Sequence, residues 1–202
     1  MIKEFLPYET VRNDALKIAH KIFQDGFIPD VIYASLRGGA YMANVISEYF
    51  KILASKEKFH PVLYAGVVAR SYSDVANHTK VFIDGWTYPP QNLRPGDKIL
   101  LIDDIFDSGN TINCLVKELM NSRGIPREDI KVVVHDYKYF TNKEEQLPIQ
   151  PDYYCRKFEI NNPEEDRWIR LNVSADGLRL INKKGLSACL KEATAAGLIK
   201  TI

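Results

Sequence analysis

The chain is poor in the features that mark secreted, membrane or metal-scaffold proteins. Only three cysteines occur in 202 residues, Cys114, Cys155 and Cys189, widely spaced and odd in number. No Cys-x-x-Cys pair exists, so neither a disulfide framework nor a zinc site is expected. No apolar run is long enough to span a bilayer. The first residues, Met1 to Leu6, carry an acid at position 4 and no small-residue cleavage pattern, so no leader is expected and the cytoplasm is the default location. Excess charge of one sign is also missing: 27 Lys+Arg stand against 26 Asp+Glu. That balance favours neither a nucleic-acid nor a membrane partner for the chain as a whole. The four histidines, His20, His60, His78 and His135, show no ligand spacing. No Gly-x-Gly-x-x-Gly follows the first apolar run, which excludes a dinucleotide-type site there.

What remains is an ordinary globular composition, 46% hydrophobic and 26% charged, of a length that suits one domain, residues 1–202. Residues 10–24 carry Val11, Ala15, Ile18, Ala19, Ile22 and Phe23 at helical spacing, with Thr10 as a candidate cap and Gly26 at the far end. Residues 31–35 read as a buried strand, 40–50 as a helix, and 62–68 as a second strand. Residues 70–80 are polar and read as a mobile loop. An Asp84-Gly85 turn is expected to close a small hairpin between 81–83 and 86–88. Strands follow at 98–102, 130–134 and 151–158, with a helix at 111–122 stopped by Gly124 and Pro126, and a terminal helix at 187–202. Strands alternating with helices predict an α/β fold with a Rossmann-like, mostly parallel sheet. Such sheets bind ligands at the carboxyl ends of their strands.

The segment from Ile99 to Thr111 sits at such an end. An apolar strand stops at Asp103 and Asp104, and Asp107, Ser108, Gly109, Asn110 and Thr111 lead into a helix. Unpaired amides at a helix N-terminus bind phosphate, and the helix dipole favours the anion. Gly109 lets the backbone approach closely, and the hydroxyls of Ser108 and Thr111 add donors. The paired acids repel phosphate and suit sugar hydroxyls or a magnesium ion. A helix cap alone needs one acid, and three lie within five positions. After the first strand, Leu36-Arg37-Gly38-Gly39 offers amides and a guanidinium to a second anion.

The acidic segment resembles the phosphoribosyl pyrophosphate (PRPP) motif of type I phosphoribosyltransferases. The resemblance runs over residues 30–172, nearest to the hypoxanthine/xanthine-guanine enzymes. It implies a core at about 30–140 and a small base-binding hood at about 141–180 with an N-terminal contribution. It implies that Asp103 and Asp104 take the ribose hydroxyls and organise Mg2+, mostly through PRPP and water. It places the 5′-phosphate on Asp107, Ser108, Gly109, Asn110 and Thr111. It assigns pyrophosphate to Leu36, Arg37, Gly38 and Gly39, with a cis peptide between Leu36 and Arg37. Arg70, Ser71 and Tyr72 would open a catalytic lid. Lys138 would contact the exocyclic oxygen of the base, and Trp168 and Ile169 would stack on it and read its edge. Asp107 is the implied general base. The implied reaction joins a 6-oxopurine and PRPP to give a nucleoside 5′-monophosphate and pyrophosphate, in a homodimer or homotetramer. Two alternatives share the motif: a pyrimidine or orotate phosphoribosyltransferase, and a regulator that senses PRPP or nucleotides. Asp176 could add a magnesium contact, but a surface role suits its spacing better.

Overall fold

The computed structural model describes residues 6–73, 79–140, 148–160 and 175–196. It divides into two compact units, Met1–Pro163 and Glu164–Ile202. The first holds helix α1 (Tyr8–Gln24), strand β1 (Val31–Leu36), helix α2 (Ala40–Glu57), strands β2 (Leu63–Ser73), β3 (Thr79–Trp86) and β4 (Ile99–Phe106), helix α3 (Asn110–Arg123), and strands β5 (Ile130–Phe140) and β6 (Tyr153–Ile160). The second holds α4 (Ala175–Lys184) and α5 (Leu186–Ala195). No helix of the described residues is long and apolar enough to cross a membrane.

The six strands form one sheet in the order β3-β2-β1-β4-β5-β6. All neighbours are parallel except β2 and β3. The sheet is therefore the expected α/β, mostly parallel one. β1 and β4 lie at its centre and are apolar at consecutive positions because both faces are covered. Tyr33, Ile99 and Leu101 pack with α3, through Leu115 and Leu119. Ile32, Leu100 and Ile102 pack with α1 and α2, through Ile22 and Ile46. Each such side chain contributes about 1.5–3 kcal/mol on leaving water.

Helix α1 ends as its sequence suggests. Gly26 takes φ +76°. Its N–H donates to Phe23 O at 3.0 Å, and the Phe27 N–H to Ile22 O at 3.1 Å, which together close the last turn. Its start differs from expectation. Pro7 is the N-cap and no side chain caps the helix, so Thr10 lies inside the first turn. A fixed proline φ and a missing N–H suit a helix start without a hydroxyl cap.

Three other boundaries move. The Asp84-Gly85 hairpin does not form: β3 runs straight through both residues and pairs with β2. Val68 faces Gly85 and Ala69 faces Ile83, which leaves Asp84 as the extra residue of a bulge. The loop read at 70–80 is strand at both ends, since Arg70 to Ser73 and Thr79 to Lys80 are paired. Strand β4 also continues past Ile102. Asp103 pairs with Val134, and Phe106 with Tyr137, so β5 carries β4 through the acids.

Within the second unit, Gly185 at φ +86° separates the helices, and its N–H donates to Ile181 O at 2.8 Å. Lys184 Nζ reaches Glu192 Oε2 at 3.0 Å across that break. Of the tail helix expected over 187–202, α5 covers the part among the described residues, and α4 before it was not expected from the sequence.

Candidate active site

The strand order reverses between β1 and β4. From β1 the chain moves outward to β2 and β3, and β4 returns to the other side of β1. A crevice opens at the carboxyl ends of two parallel strands at such a point. The two loops singled out above are the ones that leave β1 and β4 there.

The first loop is packed to the limit. The Leu36–Arg37 peptide is cis, where the family resemblance put it. A Cβ on Gly38 would lie 2.2 Å from Asp104 Oδ2, and one on Gly39 would lie 2.4 Å from Ile102 O and 2.9 Å from Asp103 Cα. At Gly39 only hydrogen fits, because its neighbours are backbone, and at Gly38 an added Cβ would have to push the Asp104 carboxylate aside. Gly39 N–H donates to Ser35 O at 2.9 Å, and Ala40 N–H to Arg37 O at 3.1 Å, which folds the loop onto the start of α2. The Arg37-Gly38-Gly39 turn and the acid pair therefore touch.

The acids themselves differ. Asp103 is buried, beside buried Ser35, and its Oδ1 accepts the Asp104 N–H at 3.0 Å. Burial first, and the charge of Asp104 second, push the Asp103 carboxyl up to about 7. Asp104 is exposed, and its Oδ1 accepts the Ile105 N–H at 2.9 Å. A buried carboxylate short of positive charge gains from any cation or hydroxyl donor that arrives.

The second loop bends at Asp107, Ser108 and Gly109. Gly109 is the N-cap of α3 at φ +79°, a conformation that glycine takes without strain. Asp107 and Ser108 are exposed, and the Asn110 N–H at the start of α3 donates to Ser108 Oγ at 3.5 Å. Asp107 Oδ1 lies 3.5 Å from Lys138 Nζ on β5. Candidate acid and candidate base-binding lysine, 31 positions apart, are thereby neighbours.

Sequence reasoning missed Asn113. It lies on the buried side of α3 and is fully engaged. Its Nδ2 donates to Gly109 O at 3.0 Å and to Ile149 O at 2.9 Å, and its Oδ1 accepts the Ile149 N–H at 3.2 Å. It ties the phosphate-type loop to the segment entering β6. A lone polar residue among Ile112, Leu115 and Val116 was the available signal. A charged chain was missed as well. His135 Nδ1 lies 2.7 Å from Asp136 Oδ1, and Arg156 grips Asp136 with two bonds of 2.7 Å. Burial opposes ionisation of Asp136, but Arg156 and His135 together outweigh it and hold the carboxyl below its ordinary range.

Arg70, Ser71 and Tyr72 lie in β2, opposite Phe82, Val81 and Lys80. Arg70 Nη2 donates to Asp84 Oδ1 at 2.6 Å, and this bond holds the Asp84 carboxyl below its usual range. The bulge thus aims Asp84 at Arg70. Trp168 and Ile169 lie outside the described residues, as does the side chain of Asp176.

Comparison with known proteins gives three kinds of match. Among solved structures, a purine phosphoribosyltransferase from Pyrococcus horikoshii Ot3 superposes with a TM-score of 0.59 at 20% identity, covering 79% of this chain and 92% of that one. A hypoxanthine phosphoribosyltransferase from Staphylococcus aureus gives 0.57 at 16% identity, covering 78% and 77%. A hypothetical protein from Neisseria gonorrhoeae with bound ppGpp gives 0.60 at 20% identity, covering 93% and 99%. Among curated proteins, large ribosomal subunit protein bL28 of Christiangramia forsetii is 55% identical over 52 residues, which is 22% of this chain and 66% of that one. The chain spans about two thirds or less of these ribosomal relatives, 40% in Phocaeicola vulgatus bL28, where 34 residues are 62% identical. The family profile of the phosphoribosyl transferase domain matches residues 3–166. With most of the sequence inside that match and its sheet folded as described, the chain belongs to the phosphoribosyl transferase domain family, as a type I phosphoribosyltransferase.

Proposed function

We propose that this chain is a purine-salvage enzyme that moves the phosphoribosyl group of PRPP to a ring nitrogen of a 6-oxopurine, releasing pyrophosphate. One observation carries the reading: Gly38 and Gly39 lie against Asp104 and Asp103 so closely that an added Cβ at either would collide with them. An anion loop and a hydroxyl-binding acid pair in contact match a ribose with pyrophosphate on its C1. In this reading Asp103 and Asp104 hold the ribose hydroxyls, residues Asp107 to Thr111 hold the 5′-phosphate, and Arg37 faces the pyrophosphate. Purine nitrogen N7 and the 6-oxygen share one edge of the base. An acid and a lysine 3.5 Å apart suit that edge, Asp107 to accept a proton and Lys138 to donate to the oxygen.

The donor set also fits magnesium. No cluster of three or more His, Cys, Asp or Glu side chains among the described residues could hold a metal by itself. Magnesium is commonly held by one or two carboxylates, with substrate phosphates and water completing the shell. Asp103 and Asp104 supply such carboxylates. The ion, when bound, offsets charge on the departing pyrophosphate. The test is a panel of bases with PRPP and Mg2+, read by pyrophosphate release. Release with hypoxanthine, guanine or xanthine is expected. Release with orotate or uracil alone would replace the purine reading with the pyrimidine one.

A second reading, a nucleotide-sensing regulator on the same fold, has one observation in its favour. The phosphoribosyl transferase match ends at residue 166, and residues 167–202 carry seven Lys and Arg against two Asp and Glu. We infer that this basic tail, together with the likeness to bL28 over 22% of the chain, gives the protein an RNA-contacting appendage. Fluorescence anisotropy with labelled ribosomal RNA, comparing the full chain with one ending at Pro163, tests it. Salt-sensitive binding lost with the tail, together with no turnover on any base, would favour the regulator.

A further inference from the structure

We propose that Tyr137 is a positioning residue: its ring, packed on Phe106 and tied by its hydroxyl to Gln150, holds Lys138 against Asp107 and so sets selectivity for an oxygen at position 6 of the base. The assignment deepens the 6-oxopurine reading and rests on it. It starts from strand register. Phe106 and Tyr137 are the last partners along β4 and β5. Asp107 directly follows the first of them, and Lys138 the second. The polar pair is open to solvent, with the Asp107 side chain 58% exposed. The aromatic pair is not: Phe106 is 4% exposed and Tyr137 6%. The two buried rings are therefore the final fixed point before the two groups that would meet a base.

The Tyr137 ring is held on two sides. Phe106 meets it edge-on, with centroids 5.5 Å apart and planes at 87°. Tyr154 on β6 lies 5.4 Å away, tilted by 55°. Apolar packing has no direction of its own, and the hydroxyl supplies one. It donates to Gln150 Oε1 at 2.7 Å. Burial first, with Tyr139 and Tyr154 adding to it, holds the phenol above its ordinary range, so it stays a donor. Gln150 is a firm acceptor because its own segment is tied down. Its neighbour Ile149 is bonded through both backbone groups to Asn113 on α3. The Gln150 carbonyl accepts Arg127 Nη2 at 3.4 Å, and the same nitrogen reaches Asp152 Oδ2 at 3.0 Å. These contacts close a circuit: from α3 to Ile149 and Gln150, from Gln150 to Tyr137, from Tyr137 to Phe106, and through Asp107 back to the start of α3. A phenylalanine at 137 would fill the same space on Phe106. What the hydroxyl adds is a fixed orientation of β5 where it presents Lys138.

Steady-state kinetics of the full-length protein with hypoxanthine and with 6-thiopurine test the assignment. The two bases differ in one atom, and sulfur accepts hydrogen bonds weakly, so the ratio of their kcat/KM values reads the contact at position 6. Tyr137→Phe keeps the ring, and Gln150→Ala removes the acceptor at a partly exposed position. Each should lower the preference for hypoxanthine by about fivefold and leave KM for PRPP unchanged. Lys138→Met should lower the preference as well. Adding Tyr137→Phe to it should lower it no further, because one residue acts through the other. An unchanged preference in both Tyr137→Phe and Gln150→Ala would overturn the assignment. So would equal losses for the two bases, the mark of a structural role. A preference that survives Lys138→Met would also overturn it, while leaving phosphoribosyl transfer standing. Turnover of neither base by the unaltered protein would remove the 6-oxopurine reading and this assignment together.

Discussion

The loop that leaves β1 and the loop that leaves β4 face one crevice but are held by different means. The first is fixed by exclusion: cis at Leu36–Arg37 and pressed on the acids, it has no volume to spare at Gly38 or Gly39. The second is fixed by polar bonds. Asn113 holds Gly109 from inside the helix, and Lys138 stands beside Asp107 at the surface. A steric device fails when an atom is added. A polar device fails when a charge or a donor is removed. One site therefore has two modes of damage, and substitutions separate them.

The largest effect is expected where charge meets chemistry. Asp107→Asn keeps the shape of the second loop and removes its base. Turnover should fall by about 10²-fold while PRPP still binds, as equilibrium binding and steady-state rates would reveal. Unchanged turnover would take Asp107 out of the mechanism. Next comes the steric loop. Gly39→Ala meets backbone, which cannot swing aside, and should cost about 1–3 kcal/mol of stability. That corresponds to a melting temperature lower by roughly 3–10 °C. Gly38→Ala meets a carboxylate that can rotate, so it should melt closer to the parent while losing PRPP affinity. Equal melting for the two variants would break the contrast.

Asn113→Ala should come third. It strands both backbone groups of Ile149, while Gly109 O keeps the backbone N–H of position 113, at about 1–2 kcal/mol. The kinetic signature should be a raised KM for PRPP with kcat largely kept, because the loop loosens without losing a reacting group. The smallest effect is a gain. Asp103 titrates near 7 in the folded chain, against an ordinary value of 3.8. Folding therefore favours its protonated form. The unliganded protein should lose stability as pH rises from about 4 through about 7, with no further loss from this group above that. Asp103→Asn should flatten that slope and raise the melting temperature at pH 8, while PRPP binding weakens. An identical pH slope in parent and variant would show that burial of Asp103 carries no strain.

The same contrast explains what could be read from the sequence. Glycines and acids crowded into Leu36–Gly39 and Asp103–Thr111 declare themselves because each motif is contiguous. The alternation of apolar runs likewise gives the parallel sheet. Asn113 and the His135–Asp136–Arg156 chain were illegible because their partners lie elsewhere: Asn113 meets Ile149, and Asp136 meets a neighbouring strand. The Asp84-Gly85 hairpin failed for a related reason. Local turn chemistry favours a reversal there, but pairing with the whole of β2 outweighs it and leaves only a bulge. The acids also looked like the end of a strand by polarity alone. A parallel partner at β5 keeps them in the sheet as far as Phe106.

The pairing of β1 with β4 at the middle of the sheet has a mechanical consequence. Opening fluctuations begin at outer strands and reach central ones last. Hydrogen exchange should accordingly be slowest in Val31–Leu36 and in the first half of Ile99–Phe106. The jaws of the crevice are bolted to the part of the protein that breathes least, so their spacing can persist while the outer strands flex to admit and release ligand.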